Sequence, residues 1–114
     1  MKFSVQQIKY EFLYAIKEFD SDGTLWQLIT SPHPPYETLE GMGCDAEAFI
    51  YLGKPAGTPR AASIVKTYFI QRFGVGDSGA FEGEGVAEWV ILFRSKQSLP
   101  NEADLLEPVG TVKA

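Results

Sequence analysis

The chain has 114 residues, of which 45% are hydrophobic, and this predicts one globular domain with a single modest core rather than a disordered segment. Fifteen acidic residues against ten Lys and Arg give a net charge of −5, so we do not expect nucleic acid as a direct ligand. One cysteine excludes an intrachain disulfide and a multi-cysteine zinc site.

The start of the chain leads directly into an amphipathic segment instead of a signal peptide, so we expect a cytoplasmic location. We also expect no membrane association, because no apolar run approaches the roughly 20 residues that span a bilayer.

The first half of the chain predicts one helix and two strands. Ser4 and Gln7 have the spacing of a capping box, and apolar residues at helical spacing follow until a turn over residues 20–23. Residues 25–30 predict a strand, and the three prolines of residues 31–35 exclude regular structure there. We expect one helical turn over residues 36–40, stopped by Gly41, then a strand over 46–52 and a loop over 53–57.

The second half predicts a helix followed by a strong strand. Thr58 is a good N-cap, Pro59 suits the first helical position, and Gly74 follows the last periodic residue. The predicted buried face of this helix consists of Ile64, Val65, Tyr68, Phe69 and Phe73. Residues 86–94 are nearly all apolar, which predicts a central strand.

Together these elements predict an α+β fold, with a small antiparallel sheet of three or more strands and two main helices packed on it. Residues 1–96 form the predicted single domain, and residues 97–114, with Pro100 and Pro108, form a weakly structured C-terminal tail.

Several short motifs suggest chemistry, but their context favours structural roles. Gly74 to Gly79 match G-x-G-x-x-G, yet a helix precedes them and a strand follows, so we interpret them as a helix C-cap and a flexible connection. His33, Asp45 and Ser78 have the chain order of a serine-protease triad, but the chain is too short for the two barrels that hold it.

Two further motifs could have a catalytic or metal-binding role, but a structural role fits them better. His33 and Cys44 could form a nucleophile pair, although a loop histidine and a core cysteine are the more common roles. Residues 20–23 resemble part of a calcium loop, but the positions that need Gly and Glu hold Leu25 and Ser31. We therefore expect no catalytic residues, no metal site and no cofactor.

An acidic, glycine-rich segment between the last helix and the last strand is the strongest candidate for binding. It contains Asp77, Glu82, Glu84 and Glu88, with five glycines between positions 74 and 85. The carboxylates are either simply solvated, or they form a patch for a basic partner or a weakly held divalent cation. Phe81 lies among them as an aromatic anchor, so the predicted partner-binding residues are Asp77, Phe81, Glu82 and Glu84.

Residues 24–96 contain, in order, strand residues 26–30 and 49–51, helix residues 62–70 and a glycine-rich loop after them. This order of elements resembles that of small bacterial proteins related to the GIY-YIG endonucleases. It implies that an Arg would stabilise the phosphate transition state and that a helix Glu would hold a divalent metal. Here the first-strand glycine position holds Leu28, no Arg occurs over residues 30–53, and the Glu position falls on Lys66.

These departures favour a non-catalytic binding or regulatory protein. We expect a protein partner with a basic surface, and specifically an acidic inhibitor of a nucleic-acid-binding protein, of the kind that phages and mobile elements encode. The alternative is a diverged metal-dependent GIY-YIG-like nuclease.

Overall fold

The computed structural model describes residues 3–19 and 22–96 of the chain. In this part of the chain the elements are α1 (Val5–Glu18), β1 (Gln27–Ser31), α2 (Pro35–Gly41), β2 (Phe49–Pro55), α3 (Pro59–Phe73), β3 (Gly76–Ala80) and β4 (Trp89–Ser95). Short 3₁₀ turns, Gly23–Leu25 and Ala46–Ala48, precede β1 and β2. The predicted tail over 97–114 and positions 20 and 21 of the predicted turn lie outside the described residues.

The strands form a four-stranded sheet in the order β2-β4-β1-β3. Strand β4 pairs antiparallel with both β1 and β2, so its predicted central position is confirmed. Strand β3 is the exception to the predicted antiparallel pairing, since it lies parallel to β1 at the sheet edge. The α+β class, with at least three strands and two main helices, is confirmed.

The two main helices begin and end where their capping residues predict. The Ser4 Oγ accepts a hydrogen bond from the Gln7 backbone N–H at 3.1 Å, and the Gln7 side chain accepts from the Ser4 N–H at 2.9 Å, which is a complete capping box. Helix α3 has Thr58 as its N-cap, Pro59 at its first position and Gly74 in the left-handed conformation after its end, with φ +69°.

The buried face of α3 is shifted from the predicted one. Ala62, Val65 and Phe69 are buried, whereas Ile64 is 44% exposed. Each helical residue turns by about 100°, so position 64 points away from a buried stripe that is centred on 62, 65 and 69. Tyr68 and Phe73 are half-buried.

Strand β3 was missed by the sequence prediction, which assigned its residues to a flexible connection. The sequence Gly-Asp-Ser-Gly-Ala lacks the alternating β-branched and aromatic residues that mark strands. Backbone pairing holds it instead: the Gly76 N–H donates to the Trp26 carbonyl at 2.9 Å, and the Phe81 N–H to the Thr30 carbonyl at 2.8 Å. A side chain at Gly76 would have to displace the amide group of Gln27, whose Oε1 is hydrogen-bonded to the Ser78 Oγ.

The other strand boundaries also differ from the predicted ones. Strand β2 begins at Phe49 and extends through Gly53, Lys54 and Pro55, which were predicted as loop. An edge strand tolerates Pro55 because only one side of it needs to pair. Strand β4 begins at Trp89, and Val86, predicted within it, is 58% exposed.

The sheet separates two apolar cores. The larger core lies between the sheet and helices α1 and α3, and it includes Ile8, Phe12, Ile16, Trp26, Leu28, Val65, Phe69, Val90 and Leu92. The smaller core lies on the opposite face with α2, and its buried members are Ile29, Leu39, Ala46, Ile91 and Phe93. The alternation along β4 shows why this strand is apolar throughout: its successive side chains enter opposite cores.

No helix in the two described ranges is both long and apolar enough to cross a bilayer.

Candidate functional site

The four predicted partner-binding residues fall into two structural groups. Asp77 lies within β3, whereas Phe81, Glu82 and Glu84 lie in the connection between β3 and β4, residues 81–88, which we call the acidic loop. Glu82 and Glu84 are exposed, while Phe81 and Glu88 are half-buried. The structure thus separates Asp77, which belongs to the sheet edge, from the acidic loop, in which Glu82 and Glu84 are exposed and Phe81 is not.

Asp77 is part of a tether between α3 and β3. The Lys66 Nζ donates to the Asp77 Oδ1 at 3.0 Å and to the Gly79 carbonyl at 2.9 Å. The Asp77 Oδ1 also accepts from the Gly79 N–H at 2.8 Å. These hydrogen bonds, that from Lys66 foremost, lower the pKa of the Asp77 carboxyl below its usual range.

Phe81 packs against the smaller core instead of standing free. Its ring lies 6.1 Å from the His33 ring in an edge-on arrangement, and a Cβ at Gly41 would lie 2.6 Å from the Phe81 Cζ. A Cβ at Gly83 would similarly lie 2.7 Å from the His33 Nε2. The glycines at positions 41 and 83 therefore allow the acidic loop to close over the end of α2.

Two stretches of the chain that supply residues to the smaller core carry many carboxylates and no Lys or Arg. Residues 32–53 and 74–93 contain no Lys or Arg, and both stretches pack around this core. Six carboxylates on them define what we call the acidic face: Glu37, Glu40, Asp45, Glu47, Glu82 and Glu84. All six residues are exposed.

Two of these carboxylates also have local structural roles. The Glu40 Oε2 accepts from the Ala46 N–H at 3.0 Å, and the Asp45 Oδ1 accepts from the Glu47 N–H at 3.1 Å. Apolar side chains are exposed beside these carboxylates. Tyr36 in α2 is 54% exposed, and Met42, which directly follows α2, is 37% exposed. The acidic face thus combines negative charge with partly exposed apolar side chains.

Basic side chains of α1 and α3 lie on the opposite side of the sheet. Lys9 and Arg72 flank the Tyr68 ring, with the Lys9 Nζ 4.1 Å and the Arg72 Cζ 5.5 Å from its centroid. Arg60 lines a groove beside them together with Ser63 and Thr67. Sequence reasoning missed this separation of charge, although the two stretches without Lys or Arg are a visible signal of it.

The other sequence candidates have structural partners. The Ser78 Oγ and the Gln27 Oε1 are hydrogen-bonded at 2.8 Å across the β1–β3 pair, and Cys44 packs against the smaller core. Among residues 3–19 and 22–96, no three His, Cys, Asp or Glu side chains are grouped closely enough to hold a metal ion.

No family model, no curated protein and no solved structure matches the chain.

Proposed function

We propose that this protein is a non-catalytic binding or regulatory protein whose acidic face docks on a basic surface of a protein partner. The observation that carries the proposal is the separation of charge: six exposed carboxylates surround the smaller core, on stretches that contain no Lys or Arg. A surface of one sign attracts an oppositely charged partner over a distance of about 10 Å at moderate salt, and this steers the encounter.

Within the acidic face, the acidic loop and α2 are the expected contact elements. Glu82 and Glu84 are exposed at the rim, where carboxylates mainly raise the association rate. Tyr36 and the exposed part of Phe81 supply apolar contact area beside them. Asp77, in contrast, contributes indirectly, because its carboxylate holds β3 through Lys66.

The partner that best fits this surface is a nucleic-acid-binding protein, whose own binding surface is rich in Lys and Arg. Exposed carboxylates compete with phosphates for such a surface, so binding of the acidic face would inhibit the partner. This is the role of an acidic inhibitor of the kind that phages and mobile elements encode.

The alternative, a diverged GIY-YIG-like nuclease, has less support. The position that the resemblance assigns to a metal-binding Glu is Lys66, and its ammonium group is engaged by Asp77 and Gly79. An ammonium group cannot replace a carboxylate as a metal ligand at neutral pH.

A capture experiment with two charge-matched variants tests the proposal. One variant carries Glu82→Gln and Glu84→Gln, and the control carries Glu11→Gln and Glu18→Gln, which removes the same charge from α1. Both variants leave the Asp77 tether intact. We expect the wild type and the control to retain the same host protein, and the Glu82/Glu84 variant to retain markedly less of it. Equal retention by all three proteins, or retention of no defined partner by the wild type, would rule the proposal out.

A further inference from the structure

Strand β2 leaves backbone hydrogen-bonding groups without partners at one edge of the sheet. It pairs with β4 alone, and the Ala56 N–H extends this pairing by donating to the Glu88 carbonyl at 2.7 Å. Hydrogen-bonded pairs alternate along an antiparallel ladder, so the N–H and C=O groups of Tyr51 and Gly53 point away from β4. These four groups, which we call the open edge, have no partner among residues 3–19 and 22–96.

Both ends of the open edge are closed by other parts of the chain. At the start of β2, the Phe49 N–H donates to the Ala46 carbonyl. At its end, Pro55 has no N–H, and its carbonyl accepts from the Phe3 N–H at 2.9 Å. The open edge therefore has room for a short extended segment and no more.

The opposite edge of the sheet is protected by side chains. In β3 the Gly79 N–H donates to the Asp77 Oδ1 at 2.8 Å, and the Gly79 carbonyl accepts from the Lys66 Nζ at 2.9 Å. Proteins generally cover or block edge strands in this way, because unpaired edges attract other extended chains. The open edge of β2 lacks such protection within the described part of the chain, so a further segment is needed to cover it.

The surroundings of the open edge narrow the chemistry of that segment. On the α1 side, Ile50 and Leu52 line an apolar cleft together with Tyr14 and Ala15. A strand that is added at the edge places every second side chain on this side of the sheet, where an apolar one fits. Glu18 is the charged residue of the cleft wall, and its carboxylate disfavours an acidic segment.

The chain beyond the described residues begins next to this edge. Strand β4 ends at Ser95, which pairs with Phe49 at the start of β2. The outer side of β2 lies two strand spacings from β4, which is about 10 Å. Residues 97–108 can span up to about 40 Å when extended, so the residues after them reach the open edge easily.

Charge and composition select one part of this tail. Residues 101–107 contain three carboxylates, which the Glu18 carboxylate repels. Residues 109–113, with the sequence Val-Gly-Thr-Val-Lys, contain no proline and no carboxylate. Three of these five residues are β-branched, which favours a strand, and Lys113 has the charge that complements Glu18.

We propose that residues 109–113 dock on the open edge as a fifth strand, with hydrogen bonds to the backbone of Tyr51 and Gly53 and one valine side chain in the apolar cleft. Docking within the same chain keeps the effective concentration of the segment high, so a short strand suffices. The proposal is independent of partner binding, because it does not involve the acidic face.

Amide hydrogen exchange of the full chain, followed by NMR, tests the proposal. In the wild type, the Tyr51 and Gly53 amides should exchange slowly. In a Val109→Asp/Val112→Asp variant, they should exchange roughly tenfold faster, because the added carboxylates weaken docking. The control, Leu105→Asp/Leu106→Asp, adds the same charge to the tail outside the docking segment and should keep the wild-type rates.

The Ile91 amide shows that the domain is folded in all three proteins, because Ile91 pairs with β1 in the middle of the sheet. Fast exchange of Tyr51 and Gly53 in the wild type would overturn the proposal, as would equal rates in the two variants. Protection that grows with protein concentration would also overturn it, because the edge would then be covered by a second copy of the chain.

Discussion

The replacement of Lys66 by methionine tests whether this residue has a structural role in place of the catalytic one that the nuclease resemblance would assign. The Lys66 ammonium joins α3 to β3 by two hydrogen bonds, one to Asp77 and one to the Gly79 carbonyl. Its side chain is only 15% exposed, whereas that of Asp77 is 54% exposed. Methionine keeps the apolar stem in place and removes only the charged group.

The cost of the change follows from these two contacts. An ion pair with a partner as exposed as Asp77 is screened by water and contributes no more than about 1 kcal/mol. The charge-assisted hydrogen bond to the half-buried Gly79 carbonyl contributes on the order of 1 kcal/mol once water partly replaces it. We therefore expect Lys66→Met to lower the free energy of unfolding by about 1–2 kcal/mol. This corresponds to a decrease in Tm of roughly 4–8 °C for a domain of this size.

Urea unfolding at neutral pH, followed by circular dichroism, measures this effect. Lys17→Met is the control, because Lys17 is exposed at the end of α1 and should change stability by no more than about 0.5 kcal/mol. Lys66→Glu, which places a second carboxylate beside Asp77, should destabilise the domain more than Lys66→Met does. If both Lys66 variants unfold at the wild-type urea concentration, the tether has no structural role.

The pH dependence of the tether has a definite sign. The pKa of the Asp77 carboxyl is lowered in the folded protein, so its contribution to stability is fully present above the unfolded pKa of about 3.9. It is lost as the pH falls through the lower folded pKa. The stability difference between wild type and Asp77→Asn should therefore be constant from pH ~7 to ~5 and disappear in acid.

Three further predictions concern Phe81 and nucleic acid. Phe81→Ala should lower the free energy of unfolding by about 1–2 kcal/mol in a urea titration, because the Phe81 ring is half-buried against Gly41 and His33. Tyr36→Ala, on the exposed surface of α2, should change the free energy of unfolding little. Equal effects of the two substitutions would contradict the packing of Phe81. The protein should not cleave plasmid, single-stranded DNA or RNA in the presence of Mg²⁺ or Mn²⁺, and chelator-sensitive cleavage that disappears in Asp77→Ala or Glu84→Ala would reverse this. Its affinity for nucleic acid should be weak at about 0.15 M salt, since the acidic residues outnumber the basic ones; a sub-micromolar Kd in a fluorescence-anisotropy titration would instead indicate a basic site near Arg60 and Arg72.

The helices were predictable because their signals are local. The capping box at Ser4, the Thr58–Pro59 start and the Gly74 stop each depend on residues within one turn of a helix end. Strand β4 was predictable for a different reason. A strand that is buried between two cores is apolar on both faces, so it appears in the sequence as a short, continuous apolar run.

The rest of the fold depends on contacts that a linear pattern does not show. Strand β3 forms because β1 offers it backbone partners and Lys66 holds its Asp77, and neither interaction is visible in the Gly-Asp-Ser-Gly-Ala sequence. The packing of Phe81 likewise requires Gly41, forty residues away in the sequence. Glu82 and Glu84 of the acidic loop were predictable as candidate binding residues. Only the topology of the sheet shows that they lie on the same side of it as the carboxylates around α2.

The salt dependence of association with the captured partner tests the central claim most directly. The association rate is measured over a range of ionic strengths for the wild type, the Glu82→Gln/Glu84→Gln variant and the Glu11→Gln/Glu18→Gln control. If the acidic face binds a basic surface, the Glu82/Glu84 variant associates roughly three- to tenfold more slowly than the control at low salt, and the difference disappears at high salt. Equal rates for the two variants at every ionic strength would contradict the account.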